Sequence, residues 1–222
     1  MMTTPPESKR ERTKAENRAA ILAAAREVFI ERGYDAAGVR DIVARTKLAP
    51  GTFYNYFPDK ESVLRALVDE ASTEGARRVR EARAAVATSV EAMVYAGFRA
   101  FFEFIASDHA LFELTRRNFA SLRSLGLDES GFAAGLVDLR RELEHAIDKK
   151  LLPPLPLDYL VRSIFAITLE VGAVMAASDP PDIDGATDFA ATLCLGGLTR
   201  LTQQTAARAA GSGAVRKKKT QK

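Results

Sequence analysis

The sequence predicts an all-α protein of about nine helices, arranged as a small N-terminal three-helix domain and a larger C-terminal helical domain. Three observations support this fold class. Apolar residues recur at helical spacing through most of the 222 residues. The patterns Thr13-x-x-Glu16 and Thr88-x-x-Glu91 match the capping box that begins many helices. No segment shows a convincing strand period or an internal repeat.

The predicted helices follow from apolar faces, caps and breakers. The first runs from Thr13 to Arg32, where Gly33 suits the position after a helix end. Two short helices lie within 39–57, and Asp59 is expected to cap a long helix that begins at Lys60. Later helices are predicted at about 89–107, 129–152, 159–178 and 184–204, with the Pro-rich segments 153–156 and 180–181 between the last three. A shorter helix that contains Leu111 and Phe119 is expected after the first of these, with Asp108 as its cap.

Composition divides the chain into four segments. Residues 1–12 are predicted to be a disordered basic arm, and residues 205–222 a disordered basic tail. The tail carries six of the 32 Lys and Arg residues and no acidic residue, so the rest of the chain is mildly acidic. Between them we expect one domain at 13–58 and another at 59–204. Basic termini of this kind attract nucleic acid without reading its sequence.

Residues 39–60 contain two short amphipathic patterns that share one apolar face. Val39, Ile42 and Val43 give the first pattern its apolar side. Phe53 and Phe57 lie four residues apart and therefore on one side of the second. Two short helices joined by a tight turn predict a helix-turn-helix.

The other side of this segment is polar and aromatic. Thr52, Tyr54, Asn55 and Tyr56 fall outside the apolar stripe and are expected to point outwards. Hydroxyl, amide and basic side chains are the groups that hold phosphates and read base edges. The segment is therefore predicted to bind double-stranded DNA.

The segment resembles the TetR family of bacterial transcriptional regulators over about residues 13–67. It departs from the usual pattern at Ala37, Gly38, Lys47 and Ala49, where the family more often has a hydroxyl residue or glycine. The residues that carry the resemblance are Gly33-Tyr34, Val39-Arg40-Asp41-Ile42, Gly51-Thr52-Phe53-Tyr54-Asn55-Tyr56-Phe57, Lys60-Glu61 and Leu64.

The resemblance implies a homodimeric regulator, in most cases a repressor, that binds a palindromic operator and is released by a small molecule. It places Thr52, Tyr54, Tyr56 and Lys60 at phosphates. Lys47 is expected either to add a phosphate contact or to lie in solvent. The predicted DNA-binding residues are Arg40, Lys47, Pro50, Gly51, Thr52, Tyr54, Asn55, Tyr56 and Lys60.

The middle helices are rich in aromatic residues, and two interpretations remain open. The predicted helix at 89–107 has an apolar stripe too wide for one contact face, so it belongs either to the core or to the wall of a pocket for a hydrophobic effector. An inward-facing Arg116 would suit an acyl-type ligand with an anionic headgroup. The pocket candidates are Phe98, Phe101, Phe102, Ile105, Phe112, Arg116, Phe119, Phe165 and Leu169.

The last two helices are too apolar for an ordinary surface, which predicts a dimer interface. With their twofold copies they would form a four-helix bundle, as in the family; the alternative is the core of a monomer. Glu170 interrupts this apolar run, and its partner stays open among Arg162, Arg200, the interface and the pocket. The predicted interface residues are Phe165, Gly172, Ala173, Ala176, Ala190, Leu193, Cys194, Gly197, Leu198 and Leu201.

Several classes of protein are not expected. His109 and His145 lack companions at metal-ligand spacing, and no cofactor motif or catalytic set has supporting context, so we expect no metal, no cofactor and no enzyme. The single cysteine, Cys194, is expected to be a buried apolar residue of a cytoplasmic protein. No uninterrupted apolar run reaches the length of a membrane helix. Alternatives to a ligand-responsive repressor are a DNA-binding architectural protein without an effector and a ligand-binding protein with impaired DNA contacts.

Overall fold

The computed structural model describes residues 8–86, 89–118, 132–150 and 152–219, with side chains except at 132–134 and 206–219. Over these residues the chain is all-helical, as predicted. The helices are α1 Lys9–Arg32, α2 Val39–Ala44, α3 Pro50–Phe53, α4 Lys60–Ala85, α5 Val90–Ser107, α6 His109–Arg117, α7 Phe132–Asp148, α8 Leu157–Ala176 and α9 Ile183–Lys219.

The chain forms two compact units, and the division falls inside α4. The first unit contains the described residues up to Ala71 together with α6 from Ala110 onwards. The second contains Ser72–His109 and the chain from Phe132 onwards. The sequence placed this boundary at 58–59, before α4. The first turns of α4 belong to the first unit because Leu64 and Val68 are buried in its core.

Two helix ends differ from the sequence prediction. α1 begins before Thr13, because Ser8 and Glu11 form the capping box: the Glu11 N–H donates to Ser8 Oγ at 3.3 Å, and the Ser8 N–H to Glu11 Oε2 at 2.9 Å. Residues 9–12 are thus helical rather than a disordered arm. α5 is capped by Ser89, whose Oγ accepts the Ala92 N–H at 3.1 Å, while the predicted cap Thr88 lies outside the described residues.

The last helix is longer than predicted. α9 continues to Lys219 instead of ending near 204, so most of the segment 205–222 that we expected to be disordered has a helical backbone. The segment is rich in alanine and contains lysine and arginine, residues with high helix propensity. This high helix propensity opposes the mutual repulsion of the basic side chains, which disfavours the helix.

The core of the first unit is built from α1, α2, α3 and the start of α4. Ile42, Val43, Phe53 and Phe57 are buried in it, in agreement with the apolar face predicted for the helix-turn-helix. Each fully buried aliphatic or aromatic side chain of this size contributes about 1.5–3 kcal/mol through the hydrophobic effect. The buried members include Ile21, Leu22, Ala25, Val28, Phe29, Tyr34, Ile42, Val43, Phe53, Phe57, Val63, Leu64, Leu67 and Val68.

The second unit is centred on α5, which contacts both α8 and α9. Phe102 and Ile105 of α5 are fully buried, and the Phe98 and Phe102 rings stack with centroids 6.0 Å apart. Gly172 of α8 faces them so closely that a Cβ there would lie 2.5 Å from Ile105 Cδ1. The absent side chain at Gly172 therefore allows α8 to approach α5.

Ion pairs connect α4 to α7 within the second unit. Arg80 Nη1 lies 2.6 Å from Asp138 Oδ2, and Arg83 Nη1 lies 2.7 Å from Glu142 Oε2. The Arg83 side chain is 18% exposed and lies against Gly97 of α5. Its ion pair is therefore better shielded from solvent than those at the surface.

Helix α8 is unusually apolar for its length. Among the described residues, α8 is the helix that is long and apolar enough to cross a membrane by length and composition, a test that core helices of soluble proteins also pass. Arg162 and Glu170 interrupt it. Only 22% of its apolar window is buried within this chain.

We expect Gly172→Ala to destabilise the second unit by about 1–3 kcal/mol, because the added methyl group overpacks the contact with Ile105. The matched control is Gly135→Ala in α7, where a Cβ would meet no atom within 4 Å. Alanine is the better helix former, so the control should gain up to about 1 kcal/mol. Urea unfolding followed by circular dichroism measures both, and equal shifts in the two variants would contradict the close packing at Gly172.

Candidate nucleic-acid interface

The candidate interface is the outer side of α2 and α3, and its position is set by the buried inner side. Ile42 and Phe53 are 0% exposed, and Phe57 is buried beside Phe53 with ring centroids 6.2 Å apart. Because these side chains point inwards, their neighbours along α3 and the following turn point outwards. Tyr54 is 62% exposed and meets Phe53 edge to face at 5.4 Å.

The predicted DNA-binding residues divide into two groups by exposure. Six are exposed, and they present two cationic groups, one phenol and one carboxamide along one surface: Arg40, Lys47, Pro50, Gly51, Tyr54 and Asn55. Three are half-buried, and two of these have hydrogen bonds to other parts of the first unit: Thr52, Tyr56 and Lys60.

The turn between α2 and α3 is held by a hydroxyl group. Thr46 Oγ1 donates to the Val43 carbonyl oxygen at 2.9 Å and accepts the Leu48 N–H at 3.2 Å. Lys47 does not have a positive φ, so this turn needs no glycine. α3 begins without a side-chain cap at Ala49, and Pro50 occupies its first turn, where the missing N–H leaves no bond unmade.

The start of α2 is held by a carboxylate in place of a hydroxyl cap. Asp41 Oδ2 accepts the Gly38 N–H at 2.9 Å, and Asp41 Oδ1 accepts from Arg32 Nη1 at 2.7 Å. The end of α2 is tied to α1 through Arg45, whose Nη1 donates to Glu31 Oε1 at 2.8 Å. This hydrogen bond lowers the pKa of the Glu31 carboxyl. The departures at Ala37 and Gly38 are thus compensated from α1 and α2.

Lys60 holds the loop between α1 and α2, which differs from its predicted contact with phosphate. Its Nζ donates to the carbonyl oxygens of Tyr34, Asp35 and Ala37 at 3.0, 3.2 and 3.1 Å. An ammonium group has three donors, so all of them are used. The same Nζ lies 4.6 Å from the centroid of the Tyr34 ring, whose own pKa is raised chiefly by burial. Lys60 therefore shapes the loop that leads into α2.

Tyr56 is positioned by a residue that the sequence did not single out. Asn17 Nδ2 of α1 donates to the Tyr56 hydroxyl oxygen at 3.1 Å. With one lone pair occupied by this bond, the hydroxyl proton remains able to donate to another acceptor. Asn17 stands outside the apolar stripe of α1, and no pattern in the sequence indicates its partner 39 residues later.

The predicted pocket residues belong to both compact units. Phe98, Phe102 and Ile105 are buried in the second unit. Phe101, Phe165 and Leu169 are half-buried in the same unit, whereas Phe112 and Arg116 belong to the first unit. Phe119 lies outside the described residues.

Arg116 does not face inwards as the acyl-ligand hypothesis required. It is exposed, and its Nε donates to Glu113 Oε1 at 2.9 Å on the same helix. This bond is the largest cause that lowers the pKa of the Glu113 carboxyl. An i,i+3 ion pair at the surface is geometrically natural on a helix.

The predicted dimer residues fall on two different sides of α8 and α9. Four of them are buried inside the protomer, so their assignment to the interface is corrected: Gly172, Ala176, Ala190 and Cys194. Leu193 and Gly197 are exposed, and the half-buried residues are Phe165, Ala173, Leu198 and Leu201. The burial of Cys194 agrees with the prediction and raises the pKa of its thiol.

Large apolar residues that the sequence did not assign to an interface lie on the outer side of the same helices. Tyr159 and Val174 of α8 are 78% and 74% exposed, and Phe189 of α9 is 61% exposed. For Val174 helical spacing contains the signal, because this residue stands on the opposite side of α8 from the buried Gly172 and Ala176. Both sides are apolar, so composition did not separate them.

The comparisons with known proteins agree with this fold and this interface. Residues 21–67 match the family model described as "Bacterial regulatory proteins, tetR family". The HTH-type transcriptional repressor Rv3405c of Mycobacterium tuberculosis is 38% identical over 76 residues. That match covers 33% of this chain and 40% of the relative, so less than half of the relative's length is spanned.

Solved structures extend the likeness to most of the chain. The fatty acid degradation regulator FadR from Bacillus halodurans has a TM-score of 0.70 at 26% identity and covers 89% of this chain and 98% of its own. A TetR-family transcriptional regulator from Syntrophomonas wolfei has a TM-score of 0.70 at 27% identity, covering 82% and 96%. Residues 21–67 are thus a segment of the TetR family of bacterial regulators, and most of the chain shares the fold of the TetR-family regulator from Syntrophomonas wolfei.

Proposed function

We propose that the protein is a ligand-responsive transcriptional repressor of the bacterial cytoplasm, which binds a palindromic operator as a homodimer. The observation that carries this proposal is the outer side of α2 and α3, where Arg40, Tyr54 and Asn55 are exposed above the buried Ile42 and Phe53. Exposed residues of these types, held by a rigid core, are suited to the major groove of DNA.

Each of these side chains has a distinct task in this proposal. The guanidinium of Arg40 makes a bidentate contact to guanine, and the amide of Asn55 reaches adenine. Tyr54 and Tyr56 donate to phosphates, with Thr52 beside them. Because two copies of the unit act together in a dimer, the operator has two half-sites related by the twofold axis.

The effector is proposed to be a mainly apolar small molecule. The aromatic composition of α5 and the likeness to FadR, named as a fatty acid degradation regulator, favour a fatty acyl compound as the first class to test. Arg116 is engaged by Glu113 and is not used as the headgroup site. The effector releases DNA only to the extent that it binds the non-binding conformer more tightly.

A second candidate is a DNA-binding architectural protein without an effector. It is favoured by the close packing of Phe102 and Ile105 against Gly172, which fills the space that a ligand would need there. One measurement distinguishes the two candidates, the effect of fatty acyl compounds on operator binding. These compounds should release the operator from a ligand-responsive repressor and should leave it bound to an architectural protein.

Operator binding is measured by fluorescence anisotropy with DNA from the promoter beside the protein's own gene and with random DNA. We expect Arg40→Ala to weaken operator binding by about 1–3 kcal/mol and to abolish the preference for one base at the position that Arg40 contacts. Binding to random DNA should change little.

Tyr54→Phe keeps the ring contact with Phe53 and should weaken binding to operator DNA and to random DNA about equally, as expected for a phosphate contact. Wild-type protein that binds the promoter no better than random DNA would contradict the proposal for that promoter, and a selection of bound genomic fragments then tests it for all others.

Lys47 and Lys60 form a matched pair of substitutions. Lys47→Met should reduce the magnitude of the slope of log K for DNA binding against log salt concentration by about 1. It should leave the free energy of unfolding within about 0.5 kcal/mol of the wild type. Lys60→Met should lower the free energy of unfolding by about 2 kcal/mol, because three carbonyl groups lose a charged donor, and should leave the salt slope unchanged. A reduced slope with intact stability in Lys60→Met would return Lys60 to the phosphate contacts.

Asn17 is expected to act on DNA binding through Tyr56. Tyr56→Phe removes the hydroxyl group, and Asn17→Ala removes the bond that orients it, so the double variant should bind DNA about as well as Tyr56→Phe alone. The double-mutant cycle measures this coupling, expected at about 1 kcal/mol. Additive losses would mean that the two residues act independently.

A further inference from the structure

The outer side of α8 and α9 carries three charged residues that the proposed function leaves unexplained. Arg162 and Glu170 of α8 and Arg200 of α9 are exposed, and none forms an ion pair within the described part of the chain. Elsewhere in the second unit arginines are paired, as in Arg80 with Asp138 and Arg99 with Asp184, at 2.6 Å each. Among the described arginines of the second unit, Arg162 and Arg200 are thus the two without an ion pair in this chain.

These charges lie among exposed apolar side chains. Tyr159 is 78%, Val174 74%, Phe189 61% and Leu193 50% exposed. Large apolar residues gathered on one side of two neighbouring helices indicate a protein interface. A charge within such a surface becomes costly once the surface is covered, unless the partner supplies the opposite charge.

Helices α8 and α9 and the segment 177–182 between them are called the α8–α9 hairpin. The negative charge of Glu170 and the positive charges of Arg162 and Arg200 lie towards opposite ends of this hairpin. Glu170 lies about 9 Å from the C-terminal end of α8 at Ala176, close to the connection between the helices. Arg162 lies about 21 Å from that end, and Arg200 about 26 Å from the start of α9 at Ile183. Both arginines are therefore near the open end of the hairpin.

Ala166 is midway between the two charges of α8. Arg162, Ala166 and Glu170 are exposed and follow one another at four-residue spacing, so they share one side of the helix. Arg162 and Glu170 are about 12 Å apart along the axis, too far to pair with each other. Ser163 and Ala166 are small and exposed, which allows a second helix to approach closely at this point.

If a twofold axis of a dimer passes beside Ala166, the charges on α8 of one copy lie opposite charges of the other sign on α8 of the second copy. In a twofold interface, residue i meets residue j of the partner and j meets i. With two α8 helices antiparallel and crossing at Ala166, each Arg162 lies opposite Glu170 of the partner subunit. A parallel arrangement would instead place like charges opposite each other.

We propose that this side of α8 binds a second copy of the chain in the antiparallel arrangement, with Glu170 of each copy paired to Arg162 of the other. The proposal rests on the homodimer of the proposed function and adds its orientation and its partner specificity. A chain that lacks either charge would leave the other buried without a partner, so the pair favours copies of this chain over other helical surfaces.

The test is a charge exchange measured by sedimentation velocity over a range of full-length protein concentrations. We expect Glu170→Arg and Arg162→Glu each to raise the dimer dissociation constant at least tenfold. The double variant, which restores opposite charges in exchanged positions, should return to within about threefold of the wild type by the logic of the double-mutant cycle. Circular dichroism verifies that each variant is folded.

Two controls test the pairing of Glu170 with Arg162. The first measures the general effect of reversing a charge, and the second tests whether Glu170 pairs with Arg200 instead. Glu91→Arg reverses an exposed charge on a different helix, α5, and should not change the dissociation constant. The combination of Glu170→Arg with Arg200→Glu should stay as weak as Glu170→Arg alone, and restored dimerisation there would replace Arg162 with Arg200 as the partner. A wild-type dimer that is insensitive to both single reversals overturns the pairing alone, whereas a monomeric wild type overturns the homodimer as well.

Discussion

The burial of Phe53 and Phe57 is the constraint on which the candidate interface depends. Both rings lie in the core formed by α1, α2 and the start of α4, where the hydrophobic effect fixes them. Because they point inwards, Tyr54 and Asn55 between them must face solvent. The same interaction thus stabilises the first unit and orients the groups that are proposed to meet DNA, so recognition uses side chains whose backbone is already ordered.

Hydrogen bonds between side chains and backbone then set the loops around this core. Lys60 joins the carbonyl groups of the α1–α2 loop, Asp41 holds the start of α2, and Thr46 holds the turn before α3. Each satisfies polar backbone groups that would otherwise depend on water. These bonds explain how the chain maintains a helix-turn-helix without the hydroxyl cap and the turn glycine usual in its family. Tyr56 is held in the same manner by Asn17.

In the second unit, several small residues of α8 and α9 lie on the buried side of their helices. Gly172, Ala176 and Ala190 face inwards, where small side chains allow the helices to approach closely. The larger Tyr159 and Phe189 are left on the outside with the unpaired charges of α8 and α9. An apolar exterior with isolated charges is suited to a partner rather than to water. The homodimer and the orientation proposed for it both follow from this division.

The sequence by itself determined the helical class, the helix-turn-helix and the exposed face of α3, because periodicity and cap residues are local properties of the chain. Tertiary structure decided which partners the polar groups find. Lys60 meets three carbonyl groups and Arg116 meets Glu113, where the sequence allowed phosphate and ligand. It also decided which apolar side of α8 and α9 is buried, since a helical pattern defines the faces of a helix but does not specify the surface that each face meets.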